Sequence, residues 1–176
     1  MIVMKFGGTS VQDAAAMDRT LSIAEARLPR APVLLASAMA KVTDQLQDVA
    51  RLVGDGKQEE CDAMIAALEQ RHAACAEEFL APPHRDRCRA DLAVIFEQLR
   101  ALTRALAMLK EWSRRSNDAI LSFGERLSTT ILYHRALSRG LDAELFDARE
   151  LVKTDDSFTA ALPIEDLTAA AIGARV

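Results

Sequence analysis

The sequence predicts an α/β fold: a parallel sheet with helices packed on it, joined by a long helical insertion. Three observations lead there. Apolar runs of strand length at Ile2–Phe6 and Val33–Ala36 flank a stretch with helical spacing, the pattern of a βαβ unit with a right-handed crossover. From Asp44 to about Ser138 almost everything then reads as helix. Aromatics are scarce, at 5%, while Ala and Leu are abundant; this favours helix, because such side chains lose little freedom there.

Ile2–Phe6 ends at Gly7-Gly8 and reads as a buried strand. Ser10 or Asp13 caps the helix that follows, with Met17, Leu21, Ile23, Ala24 and Leu28 on its inner side, and Pro29 and Pro32 close it. In the insertion, Gly54-Asp55-Gly56 and Pro82-Pro83 are the clear breaks, so two or three long helices are expected, forming a helical subdomain over about 44–138. Leu92, Ile95, Phe96, Leu99, Leu102, Leu106 and Leu109 recur at helical spacing. Asp142–Phe146, with Leu141 leading in, reads as a third strand. Asp147–Leu162 is mixed and polar, and a further helix is expected over Ile164–Ala174. A three-stranded parallel sheet would leave an edge and a face uncovered, so more strands are expected beyond Val176.

With 176 residues the chain has room for one domain, and half of it is hydrophobic. There are 26 acidic and 22 basic residues, a formal net charge of -4. That argues against a nucleic-acid partner, which needs a surplus of Lys and Arg on one face. Cys61, Cys75 and Cys88 lie in helical stretches without framework spacing, which predicts reduced thiols. His72, His84 and His134 have no ligand-spaced partner and read as packing or helix-surface residues; no metal site is expected. No segment has the length of a membrane span and the start lacks a signal-peptide pattern, so a cytoplasmic protein is expected.

Three clusters carry chemistry. In Lys5-Phe6-Gly7-Gly8-Thr9-Ser10 a strand delivers a lysine, then two glycines, two hydroxyls and a helix start. Glycines let the backbone approach an anion, and a helix N-terminus favours phosphate. Lysine adds a mobile positive charge. The lysine precedes the glycines, so this is not a Walker loop. The same residues also read as a strand ending in a tight turn; the flanking Lys and Thr-Ser tip the balance towards phosphate. The second cluster, Ser37–Thr43, sits at the C-terminal end of the second strand, where ligands of open α/β sheets collect. Ser37 and Thr43 offer hydroxyls, although Thr43-Asp44 by itself reads as a helix cap. The third, Ser122-Phe123-Gly124-Glu125-Arg126-Leu127-Ser128, has a glycine within a helical stretch, which costs about 1 kcal/mol against Ala and calls for a packing or ligand reason. Glu125 beside it can accept from a substrate ammonium, or simply pair with Arg126 on the surface.

These clusters resemble a known family. KFGGTSVQD at residues 5–13 looks like the N-terminal signature of aspartate kinases in the amino-acid kinase superfamily. SAMAKVTDQL from Ser37, SFGERLS from Ser122 and DARELVKTDDSF over Asp147–Phe158 are similar to the family's following segments, in the same order. The resemblance implies an α/β/α sandwich of the amino-acid kinase type, here incomplete. It also implies transfer of the ATP γ-phosphate, with Mg²⁺, to the β-carboxylate of L-aspartate, the first step towards lysine, threonine and methionine. By motif position Lys5 would neutralise the transferring phosphate, and Gly7 and Gly8 would offer it backbone N–H groups. Thr9 and Ser10 would shape that loop. Ser37 and Thr43 would help hold aspartate or phosphate, and Glu125 would pair with the aspartate ammonium.

Lys41 is a departure, since many members carry glycine there. A larger one is the lack, after Asp155-Asp156, of the arginine-bearing loop, the adenine, ribose and Mg²⁺ segments, and the regulatory ACT domains of the family. The chain therefore reads as the N-terminal part of a kinase domain, inactive or nearly so alone, whose partner is the remainder of the kinase chain or a second copy. The alternative is a noncatalytic binding or assembly module that uses its Leu-rich helical region as an interface.

Overall fold

The computed structural model describes residues 1–175. β1 (Ile2–Phe6) and β2 (Pro32–Ala36) pair in parallel, with Ile2 opposite Pro32 and Phe6 opposite Ala36. Between them runs α1 (Ala14–Glu25), so β1-α1-β2 is the expected crossover unit. α1 buries Ala14, Met17, Leu21 and Ala24 at helical spacing. Ile23 and Leu28, expected on its inner side, are exposed. Ile23 falls about 100° round the helix from Ala24, and Leu28 lies past the helix end in a 3-10 turn over Leu28–Arg30.

Five helices fill Val42–Ser138: α2 (Val42–Gly54), α3 (Gln58–Phe79), α4 (His84–Leu109), α5 (Arg114–Leu121) and α6 (Phe123–Ser138). This exceeds the two or three expected. Lys110 ends α4 in the left-handed conformation, φ 52°, and Ser113 starts α5 through a reciprocal capping box with Ser116. Neither Gly nor Pro marks that break. α6 is central: it packs on β2 and on α1 to α5 and buries Leu127, Ile131, Leu132 and Ala136. Fully burying one such aliphatic side chain contributes about 1.5–3 kcal/mol. Two arginines fasten α6 to its neighbours. Arg135 donates to the Asp18 carboxylate from Nε at 3.0 Å and to the Phe79 carbonyl at 2.8 Å, and Arg139 reaches Glu25.

Among the described residues the sheet has two strands, and Asp142–Phe146 is not a third. Leu141 and Ala143 are half-buried while Asp142 and Glu144 are exposed, which produces the period-two pattern of a strand. Burial alone does not make one: no backbone hydrogen bond joins this segment to β2, and the two line a groove of about 580 Å³. β1 is likewise not buried on both faces, since Val3 is 61% exposed. The short α7 (Ala148–Leu151) also lines the groove, through Ala148 and Leu151; a bridge between Thr154 and Pro163 and α8 (Glu165–Gly173) follow in the chain. No helix of the described residues is long and apolar enough to cross a membrane.

Candidate phosphoryl-transfer site

Parallel pairing puts the C-terminal ends of β1 and β2 side by side. The Ser37 amide extends the ladder by donating to the Phe6 carbonyl at 3.0 Å. After β1, Gly7 is extended and Gly8–Val11 forms a 3-10 turn. The Gly8 and Thr9 amides are thus at a helix start, where N–H groups lack intrahelical acceptors. Asp13, not Ser10, caps α1: its carboxylate accepts from the Ala16 amide at 2.7 Å. That bond holds its carboxyl below the usual aspartate range, helped by Gln12. The Ser10 carbonyl instead accepts from Thr20 Oγ1 at 2.8 Å.

The loop after β2 buries Ala38 and Met39. A turn follows, closed by the Val42 amide on the Met39 carbonyl at 2.9 Å, with Lys41 at φ 69°, ψ −5°. Lys41 itself is the N-cap residue of α2. The capping role expected for Thr43-Asp44 is therefore not taken: Thr43 sits exposed in the first turn. The Lys41 ammonium lies 3.6 Å from Asp44, both well exposed, a pairing that contributes little to stability.

The third segment closes on this loop. A Cβ at Gly124, in the first turn of α6, would stand 2.8 Å from the Ala38 Cβ and 3.2 Å from Leu46 Cδ1. The glycine within the helix therefore has a packing reason. A Cβ at Gly8 would stand 3.0 Å from the Ala38 carbonyl oxygen. Ser128 Oγ donates to the Ser37 carbonyl at 2.8 Å. Three segments far apart in sequence thus meet on Ser37 and Ala38. Lys5, Gly7, Thr9, Thr43 and Glu125 are exposed, while Gly8, Ser10 and Ser37 are half-buried.

The fourth segment is tied to α5 and α6. Arg126 stacks over the Phe123 ring at 4.8 Å and its Nε lies 3.7 Å from Asp147. Asp147 also pairs with Arg149 at 2.6 Å, and these contacts hold its carboxyl below the usual range. The Thr159 amide donates to Asp118 at 2.6 Å. Among the described residues no cluster of three or more His, Cys, Asp or Glu could hold a metal. Cys61, Cys75 and Cys88 are free and buried, and His72 and His134 are buried too.

Two residues that support the loops were given no role by the sequence reading. Ser128 ends the SFGERLS motif, and its helical position four residues after Gly124 was the available signal. Arg71, on α3, donates from Nη2 to the Ala40 carbonyl at 2.8 Å; nothing in the local sequence separates it from a surface arginine.

A Gly-Gly turn after the first strand, with a lysine on that strand, and the loop after the second strand lie side by side at the C-terminal sheet edge, where ligands of open α/β sheets collect. The sequence profile described as "Amino acid kinase family" matches residues 1–174, and the chain belongs to that family. Its relatives are aspartokinases. Aspartokinase 1, chloroplastic, of Arabidopsis thaliana is 31% identical over 163 residues, covering 88% of this chain and 27% of the relative. Lysine-sensitive aspartokinase 3 of Escherichia coli (strain K12) is 31% identical over 167 residues, covering 93% and 34%. The crystal structure of E. coli aspartokinase III in complex with aspartate and ADP (R-state) superposes with a TM-score of 0.83 at 28% identity, covering 99% of this chain and 37% of that one. The complex of the same enzyme with lysine and aspartate (T-state) gives 0.83 at 27% identity over the same shares. The fold is therefore that of the matched part of aspartokinase, and the chain spans about a third of the length of the relatives it matches.

Proposed function

We propose that this chain supplies the phosphate- and substrate-facing part of an aspartate kinase, which transfers the ATP γ-phosphate to the β-carboxylate of L-aspartate. The observation that carries this reading is the convergence of the Gly7-Gly8, Ser37-Ala38 and Gly124-Glu125 segments at one sheet edge. In this reading Lys5 neutralises charge on the transferring phosphoryl group, and the Gly7 and Gly8 amides face the phosphate oxygens. Thr9 and Ser10 shape that loop, Ser37 and Thr43 hold aspartate or phosphate oxygens, and Glu125 accepts from the substrate ammonium. A carboxylate nucleophile is already ionised at neutral pH and needs no strong base. What catalysis needs is positioning and charge neutralisation, which such a constellation provides. Mg²⁺ belongs to the nucleotide complex in this reading, and homo-oligomerisation or union with further kinase segments completes the enzyme.

The test is a titration of the ¹⁵N-labelled chain with ADP and with L-aspartate, alongside an assay of aspartate-dependent ADP formation. Amide shifts at Gly7, Gly8 and Ser37 are expected, lost or weakened in Lys5→Ala; silence of all three with both ligands would overturn the reading. Any turnover should fall by about 10²–10³-fold in Lys5→Ala, the cost of losing one preorganised charge-stabilising group. The second reading, an assembly module without catalysis, is favoured by one observation, the exposed apolar face of β1 and β2. It gains if the ligand titrations are silent while the chain captures a second copy.

A further inference from the structure

The turn that carries Lys41 has a specific need, and one residue meets it. Met39–Val42 is a closed four-residue turn with Ala40 and Lys41 at its centre. At φ 69°, ψ −5° Lys41 takes the left-handed conformation that a type II turn requires at its third position. Glycine adopts it freely, but a lysine side chain is crowded there. Type I and type II turns differ by a flip of the central peptide, here the one between the Ala40 carbonyl and the Lys41 amide. That carbonyl is the one that Arg71 grips, at 2.8 Å from Nη2, while Nη1 reaches Gln45 Oε1 at 3.4 Å. A flip to type I would turn the carbonyl away from the guanidinium. Arg71 stands on α3 between Leu68 and His72, which are fully buried, and Cys75, so its base is fixed by the core.

We propose that Arg71 is a positioning residue that locks the Ala40–Lys41 peptide in its left-handed turn, and through it sets the loop that meets Gly8. The peptide is planar and trans, so the Lys41 N–H points opposite to the Ala40 carbonyl. Arg71 therefore also decides which way that donor faces. The turn touches the glycine loop directly: a Cβ at Gly8 would lie 3.5 Å from both the Ala40 nitrogen and its Cα. The functional weight of the lock rests on the reading of these loops as a phosphate and substrate pocket; the lock itself does not.

The experiment is amide hydrogen exchange on the full chain, with the one-bond Cα–Hα coupling of Lys41 as the reporter of the sign of φ. In Arg71→Met the Ser37 amide should exchange at least about tenfold faster, equivalent to about 1.4 kcal/mol of opening free energy, whereas the Val42 bond to Met39 is common to both turn types. Lys41 should leave positive φ, and the α3 amides should stay unchanged. Adding Lys41→Gly to Arg71→Met should restore the slow exchange of Ser37, because glycine favours the type II turn without the clamp. Arg71→Lys, whose compact ammonium lacks the planar fork that spans both acceptors, should fall between. If Arg71→Met does not fold, Arg71→Lys with and without Lys41→Gly gives the same comparison at a few-fold effect. A Lys41 that keeps its positive φ in Arg71→Met, or acceleration spread evenly through α3 without recovery by Lys41→Gly, overturns the proposal. ADP titrations separate the two readings: a silent titration counts against the phosphate pocket and leaves the exchange result standing.

Discussion

At the scale of single residues, the core holds one titratable group whose charge state is set by its surroundings. His72 is fully buried, donates from Nδ1 to the Leu68 carbonyl at 2.7 Å, and meets the Phe96 ring edge-on. Its Nε2 has no partner. Burial pushes its pKa down from 6.5 to about 4, because a charged imidazole would lose its water without gaining an anion. The unfolded chain therefore binds the extra proton first as pH falls. Stability is full above pH 6.5 and declines between 6.5 and 4, by about 3 kcal/mol at most. Urea unfolding at a series of pH values should show this decline, and His72→Leu should flatten it. A slope unchanged in His72→Leu would place the acid sensitivity elsewhere. Burial acts on the thiols in the opposite direction, raising Cys75 to about 11 and Cys88 to about 12, so both stay protonated at neutral pH.

At the scale of elements, helix ends decide what was legible. The α4–α5 break rests on the Ser113 capping box, and Ser113→Ala should lower stability by about 1 kcal/mol in denaturant titrations. Loss of nothing measurable would mean that the junction is held by packing alone. The sequence reading found the breaks marked by Gly or Pro, at Gly54–Gly56 and Pro82-Pro83, because those residues act locally. It missed the break at Lys110, where an exposed left-handed lysine ends α4 through local backbone bonds, Lys110 to Ala107 and Glu111 to Leu106, because glycine is the residue that usually marks that geometry. Asp142–Phe146 shows the opposite failure. The alternating half-burial of Leu141 and Ala143 breaks off at the exposed Leu145, and a strand needs a ladder partner, on which the local sequence carries no information. Of the site, the glycines and hydroxyls were legible as motifs. Their meeting point at Ala38 was not, because a buried alanine looks like any other.

At the scale of the whole molecule, the two-stranded sheet is finished on one side and bare on the other. Val3 is 61% and Leu35 48% exposed, and Leu162 and Leu167 near the C-terminus are exposed as well. An uncovered apolar sheet face is a site of association. The chain should sediment as a concentration-dependent mixture, shifting towards monomer in the double variant Val3→Thr, Leu35→Thr. A monomer at every concentration would show that this face tolerates water. The contacts that build the site also have an order in time. The Arg71 bond to Ala40 spans 31 residues, but the Ser128 bond to Ser37 spans 91 and encloses α2 to α5. Contacts between distant parts of a chain form late, after the local ones that shorten the path between them. The pocket should therefore be the last part of the molecule to assemble, and the refolding rate seen by a ligand there should lag behind the rate at which helix appears.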